Sequence, residues 1–195
     1  MKKREFIKAA ALLTSSVTLL PSSVWALAEK GKLRTAHIGL GSMGMSDLDS
    51  ISSHDSVVVT ALCDVDANNL ENAKKLHPKA KIYADYRTML KEIGGMIDAV
   101  VVSTPDHTHA PASMMAMEMG KPVYCQKPLT HHVTEARAMQ KLAKKKNLVT
   151  QMGIQVHSFY DYKLATLLIQ SGIIGKVSTV RALEKDIGLR LWNFR

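Results

Sequence analysis

The sequence predicts an α/β fold, a doubly wound parallel sheet with helices on both faces. Three observations carry this. Short apolar runs, many of them β-branched, alternate with stretches of helical periodicity from Leu33 to Met152, the pattern of a parallel sheet covered on both sides. A glycine-rich turn, Gly39-Leu40-Gly41-Ser42-Met43-Gly44, stands between the first run and the first helix. The residues able to do chemistry fall just after the ends of the apolar runs, where such sheets bind ligands.

The elements follow in order. Leu33 to Ile38 is read as the first strand and Ser42 to Ser53 as the helix opened by the glycine turn. Val57 to Cys63 is a strand that ends at Asp64, twenty residues after Gly44. Asn68 to Leu76 is a short helix stopped by Pro78, Lys81 to Tyr83 a short strand, and Tyr86 to Ile93 an amphipathic helix stopped by Gly94-Gly95. Ile97 to Val102 has the length and apolarity of a strand buried on both faces. Thr108 to Met119 is helical with Pro111 in its first turn, and its methionines read as core packing. Pro122 to Cys125, the helix His131 to Lys146 and the strand Leu148 to Met152 complete the unit. Tyr160 to Gln170 reads as a linking helix, and Gly175 to Val180 as one further strand.

The first 28 residues are set apart. A basic start (Met1 to Lys8), an apolar run (Ala9 to Leu20) and an Ala26-Leu27-Ala28 site form the layout of a secretory signal. The run is too short for a transmembrane helix, and no other stretch is apolar and long enough to span a bilayer. Lys3-Arg4-Glu5-Phe6-Ile7-Lys8 is similar to a twin-arginine signal with Lys3 in place of the first arginine, so both that route and the general secretory route stay open. The expected location is the periplasm or cell envelope.

Of the net charge of +9, +3 belongs to those 28 residues. The one tight basic cluster, Lys141, Lys144, Lys145 and Lys146, ends a helix, where lysine suits the dipole. With aromatics at 5 % and no recognition motif, nucleic acid is not an expected partner. Cys63 and Cys125 each end a strand. In strand order 3-2-1-4-5 they stand about 14 Å apart, beyond the ~7 Å that a disulfide spans. Two free, buried thiols are expected.

The turn and the acid carry the chemistry. A G-x-G-x-x-G that follows a strand, opens a helix and precedes an acid at this distance is a dinucleotide-binding fingerprint. Gly39 permits the tight turn, Gly41 lets a pyrophosphate approach the backbone, and Gly44 lets the helix pack on the sheet. The N–H groups of the helix start, with Ser42 and Met43, face the phosphates. Asp64 accepts from an adenosine ribose and repels a 2′-phosphate. No Arg or Lys lies between it and Lys74, so NAD is expected over NADP. His107 and His109 form an H-x-H, and His131-His132 a second pair. No ligand set of known metal spacing accompanies them, so no metal is expected.

Together the glycine turn, Cys63-Asp64-Val65-Asp66, Thr104-Pro105-Asp106-His107-Thr108-His109 and Gln126-Lys127-Pro128-Leu129 resemble the glucose–fructose oxidoreductase / inositol dehydrogenase (Gfo/Idh/MocA) family. The resemblance runs from about Leu33 to Val180 and is closest to secreted bacterial members. It implies NAD(P)-dependent hydride transfer between nicotinamide and a sugar or polyol carbon. It makes Lys127 the lysine of the E-K-P motif, which holds the reacting oxygen and helps pass its proton. Without the family, Lys127 would simply precede a turn-forming proline. Gln126 stands where the family has Glu, keeping a carbonyl acceptor for a ribose hydroxyl without the charge. Thr104, Pro105, His107 and His109 are implied to lie by the nicotinamide half, and Gln155 to join the same edge. Residues 33–155 form the expected nucleotide-binding Rossmann domain. Residues 156–195 form a linking helix and only the first strand of a second α+β domain, which in the family completes the substrate pocket and the oligomer contacts. The expectation is therefore an oxidoreductase, with two alternatives: a catalytically incomplete NAD-binding module, and an NAD-assisted glycosidase.

Overall fold

The computed structural model describes residues 31–184 and 190–194. The signal-like segment 1–28 lies outside the described residues. The described chain falls into two units that part after Gly153.

The first unit is a six-stranded, wholly parallel sheet in the order β3-β2-β1-β4-β5-β6. Its strands are β1 (Leu33–Ile38), β2 (Val57–Cys63), β3 (Lys81–Tyr83), β4 (Ala99–Val102), β5 (Val123–Gln126) and β6 (Thr150–Gly153). The helices between them are α1 (Ser42–Ser52), α2 (Ala67–Leu76), α3 (Tyr86–Ile93), α4 (Asp106–Glu118) and α5 (Val133–Lys146). This is the expected doubly wound Rossmann sheet.

Strand alternation sorts the core into two layers. Ala36 and Ile38, Ala61 and Cys63, Val100 and Val102, Val123 and Cys125 face one side, packing with Met89 and Leu90 of α3, Ala116 and Met117 of α4, and Met139 of α5. Leu48 of α1, Leu62 of β2, and Leu70 and Ala73 of α2 form the other layer. Local signals set the helix ends. Asp66 and Asp85 cap α2 and α3 by accepting from Asn68 N–H and Arg87 N–H. Asn147, at φ 52°, closes α5 in the left-handed region behind Lys144, Lys145 and Lys146.

Both cysteines are free and buried. Register places Cys63, Ile38, Val102 and Cys125 in one row across β2, β1, β4 and β5, three strand intervals, which explains why they do not bond. α4 starts two residues earlier than its pattern suggests, at Asp106. Thr108 anchors that start, donating both its N–H and its hydroxyl to the carbonyl of Pro105. His107 and His109 thus sit in the first turn of a helix.

In the second unit, a 3-10 turn (Gln155–Ser158) precedes α6 (Tyr160–Gln170), the expected linking helix. The next strand corrects the sequence reading. Gly175 takes a positive φ of 74°, and residues 176–179 join no strand among the described residues. β7 runs Val180–Glu184 and pairs antiparallel with β8, Arg190–Phe194. The expected lone strand at Gly175 to Val180 is instead a two-stranded ribbon placed further on. β-propensity at Val177 to Thr179 does not by itself make a strand, and among the described residues these three join no ladder.

Candidate functional site

The chain crosses from the β2–β3 side of the sheet to the β4–β6 side between β1 and β4. The loops there part at the carboxyl edge, the switch point of a doubly wound sheet. The glycine turn begins this site. Gly39 leaves β1 at φ 88°, and a Cβ on it would lie 2.6 Å from the Ser103 backbone. A Cβ on Gly44 would collide with the Gly39 carbonyl. Both positions are therefore dictated by the protein's own packing. Gly41 differs: its φ is −65° and a Cβ there would meet nothing within 4 Å. Nothing inside the fold requires glycine at 41, whereas a ligand brought up to the backbone does. Gly41 is the N-cap of α1, with no side-chain cap and no acid in the first turn. The start of that helix, Ser42 and Met43 included, is thus suited to an anion.

Asp64, half-buried at the end of β2, accepts from Leu40 N–H at 2.6 Å and from Asp66 N–H at 2.8 Å. Asn69 Nδ2 adds a longer bond of 3.4 Å. The carboxylate is thereby locked to the glycine turn. A cleft of about 460 Å³ opens beside it, bringing together Gly39, Asp64, Thr104, Pro105 and His107. Thr104 Oγ1 is buried with no partner among the described residues, and its residue lines this cleft. A donor set that holds backbone N–H groups, a fixed carboxylate and an orphaned hydroxyl fits the phosphates and hydroxyls of a dinucleotide.

The cleft has residues that the sequence reading missed. Val65 is 92 % exposed at its wall, an apolar surface suited to a planar base. Arg87 joins the lining with its guanidinium 4.8 Å above the Tyr86 ring and 3.4 Å from Asp85. Only position gives Val65 away in sequence, next to a strand-end acid. Arg87 carries no local signal at all. Cys63 lies at the cleft floor; burial, then Asp64 and Asp85, push its thiol up to about 12. Burial holds Cys125 up at about 11. Neither is a nucleophile in this state.

Lys127 is exposed just past β5, before a cis bond to Pro128. Two of the expected site residues make protein contacts around it. The sequence places His109 against the cofactor; in the fold it is buried, with Nδ1 2.6 Å from the Pro128 carbonyl and Nε2 2.7 Å from the Thr104 carbonyl. Carbonyls only accept, so each bond needs an N–H; a neutral ring serves one and a doubly protonated ring serves both. His109 staples the Lys127 turn to the Thr104 loop. The sequence also has Gln126 offering its carbonyl to a ribose. It is buried; Oε1 accepts from the Lys127 N–H at 2.9 Å and Nε2 donates to Asp47. Gln155 belongs to the second unit, where it opens the 3-10 turn.

A second cleft, of about 420 Å³ between α5 and β5–β6, is lined chiefly by apolar residues such as Val123, Leu129 and Met139. It holds none of the expected site residues. Among the described residues no group of His, Cys, Asp and Glu is arranged to hold a metal, and no helix is long and apolar enough to cross a membrane.

Residues 33–154 match the family described as "Oxidoreductase family, NAD-binding Rossmann fold" (GFO_IDH_MocA). A glycosyl hydrolase family 109 protein of Stenotrophomonas maltophilia is 35 % identical over 137 residues, which cover 65 % of this chain and 29 % of that protein. An inositol 2-dehydrogenase of Rhodococcus erythropolis is 30 % identical over 164 residues, 82 % of this chain and 46 % of that one. The crystal structure of myo-inositol 2-dehydrogenase from Lactobacillus plantarum superposes with a TM-score of 0.69 at 31 % identity, covering 75 % of this chain and 43 % of that one. The chain thus spans less than half the length of each of these relatives.

Proposed function

The chain belongs to the Gfo/Idh/MocA oxidoreductase family with an NAD-binding Rossmann fold, and from that premise we propose that it serves NAD-dependent hydride transfer between nicotinamide and a carbon of a sugar or polyol. The observation that carries this is Gly41, a glycine that the fold itself does not need, at the uncapped start of α1. In this reading Gly41 and the α1 start take the pyrophosphate. Asp64 takes the adenosine ribose hydroxyls, with Val65 against the base. Thr104, Pro105 and His107 border the nicotinamide half. The nicotinamide, when bound, supplies the hydride acceptor or donor. Lys127, exposed at the β5 end, hydrogen-bonds the reacting oxygen and passes its proton toward solvent.

NAD is favoured over NADP. Asp64 would face a 2′-phosphate, and the one guanidinium in the cleft, Arg87, already has Asp85 beside it. Titration of the purified protein with NADH and NADPH tests this; tighter NADPH binding would overturn the preference. Steady-state turnover with a panel of polyols and sugars tests the reaction. The layout of residues 1–28 supports export, which the N-terminal sequence of the protein recovered from cell-envelope fractions would test.

A second reading has its own support. The Stenotrophomonas maltophilia relative is a glycosyl hydrolase family 109 protein, so an NAD-assisted glycosidase is the competing assignment. Release of free sugar from an aryl glycoside without net NADH would select it. NADH accumulating in step with polyol loss would select the dehydrogenase.

A further inference from the structure

One carboxylate ties together the three loops that build this site. Asp47 lies in α1, five residues beyond its first residue, and is 8 % exposed. Ser103 Oγ donates to its Oδ2 at 2.6 Å. Gln126 Nε2 donates to both its oxygens, at 3.0 and 3.1 Å. The Tyr124 phenol is held above its ordinary range by burial and then by Asp47, to which it also hydrogen-bonds. Ser103 directly precedes Thr104 of the cleft, and Gln126 directly precedes Lys127. Gln126 Oε1 accepts the Lys127 N–H. Space for the cluster comes from β6: a Cβ on Gly153 would lie 2.6 Å from Tyr124 OH and 2.9 Å from Gln126 Nε2.

We propose that Asp47 is the positioning hub of the site, and that the Asp47–Gln126 carboxylate–amide couple sets the Lys127 turn at its working distance from the phosphate-binding start of α1. The working of the couple in catalysis rests on the dinucleotide reading above; its existence does not. The couple accounts for an amide at 126 from the chemistry of its own neighbours. The Asp47 carboxylate accepts only, so its buried neighbour must donate. A glutamate at 126 would set two carboxylates about 3 Å apart, a pair that can exist only by sharing a proton. The groups at Asp47 are Ser103 just after β4, Tyr124 and Gln126 from β5, and the bare Gly153 of β6, and among the described residues no ion pair offsets a second negative charge. The polarity is invertible. When Asp47→Asn and Gln126→Glu are combined, Ser103 donates to the new amide's carbonyl at 47. That amide's NH₂ donates to the new carboxylate at 126, which still accepts the Lys127 N–H.

The test compares the full chain with Gln126→Glu, Asp47→Asn and the double variant. Thermal unfolding is followed from pH 5 to 9, and NADH binding is titrated on folded protein. Gln126→Glu should melt lower at pH 8 by on the order of 5 °C and regain most of that at pH 5. The double variant should return to within about 2 °C of the parent across the range. NADH affinity should fall about tenfold in each single variant and recover in the double, as geometry sensitivity at such a site requires. A Gln126→Glu protein with a flat pH profile, or a double variant no better than its singles, overturns the couple. Stability that follows the pattern while NADH affinity stays constant in every variant overturns the positioning role. If the parent itself binds no NADH, the dinucleotide reading falls and the positioning role falls with it, while the unfolding series still decides the couple.

Discussion

The two ends of the parallel sheet hold polar clusters of opposite character. At the amino edge, Arg34 in β1 meets Asp98 before β4. Its backbone N–H, Nε and Nη2 all donate to that one carboxylate, at 3.0, 2.9 and 2.7 Å. Charge is matched within the cluster. At the carboxyl edge, Asp47 and Asp64 accept from neutral donors: backbone N–H groups, amides and hydroxyls. Neither forms an ion pair among the described residues. Among the described residues Thr104 Oγ1 has no partner and a Cβ on Gly41 would meet nothing within 4 Å. A cluster that satisfies itself holds strands together. A cluster left with spare valence beside a bare backbone is arranged for something that arrives later. That difference, more than burial or charge alone, marks which end is the site.

The largest effect that would sharpen this contrast is at Lys127. Its side chain is exposed, so Lys127→Ala should leave the unfolding temperature within about 2 °C. Turnover on any substrate found should drop by about 10²–10⁴-fold. A variant that keeps more than a tenth of parent turnover would remove Lys127 from the chemistry.

Next in size is the pair of glycines that look equivalent in sequence. Gly41→Val should lower NADH affinity by about 10²-fold, since the side chain fills the space through which phosphate reaches the backbone. Stability should hold, because the position is unstrained and roomy. Gly44→Ala should do the reverse first: its Cβ meets the Gly39 carbonyl, so unfolding temperature falls by several degrees, about 2–4 °C for each kcal/mol of clash. Calorimetry and NADH titration on the two variants separate them. Equal loss of stability at both would show that Gly41 is structural too.

The scaffold was legible in the sequence, and so was one half of the candidate site. Strand alternation, the glycine turn and Asp64 are local signals, each written within about twenty residues. The other half depends on side chains that meet across the fold. Asp47 and Gln126 stand 79 residues apart, and in sequence Asp47 resembles any helix acid. The resemblance implies that His109 lies by the nicotinamide half, and no sequence signal shows that its ring stands between two carbonyls 2.6 and 2.7 Å away. Periodicity reports which face of an element a residue occupies; it does not report what stands opposite. The ribbon escapes a sequence reading for a related reason, since β7 and β8 are defined by their pairing with each other, from Val180 with Phe194 to Glu184 with Arg190.

Within the sheet itself, His37 offers a pH handle that is independent of the site. It is buried in β1, its Nε2 3.1 Å from Thr35 Oγ1 and its Nδ1 without a partner among the described residues. Burial, then the charge of nearby His77, lower it from 6.5 to about 3. The folded state therefore refuses a proton that the unfolded chain accepts. Above pH 6.5 the group costs nothing through this route; between about 6.5 and about 3 it removes stability as pH falls, at about 1.4 kcal/mol per pH unit. His37→Leu should abolish that part of the acid slope, measured as the difference in denaturant unfolding between variant and parent at pH 7 and pH 5. Identical slopes would mean that His37 is protonated in the folded protein.

The smallest effect belongs to the amino edge, and it decides whether the two ends are separate. Arg34→Met removes the cation but keeps much of the stem that packs on the sheet. The Asp98 carboxylate retains the backbone N–H of residue 34 and gains water, since the pair is partly exposed. The cost should be about 1 kcal/mol, a shift of about 2–4 °C in unfolding temperature. NADH affinity should not change, because the Arg34–Asp98 bonds join β1 to the start of β4 at the amino edge, away from the loops that hold Gly41, Thr104 and Lys127. If affinity falls together with stability, strain at one edge reaches the other through β1 and β4, and the division into a self-satisfied end and a receptive end is wrong. If stability falls alone, the Arg34–Asp98 pair is a clasp on the same two strands whose far ends frame the cleft.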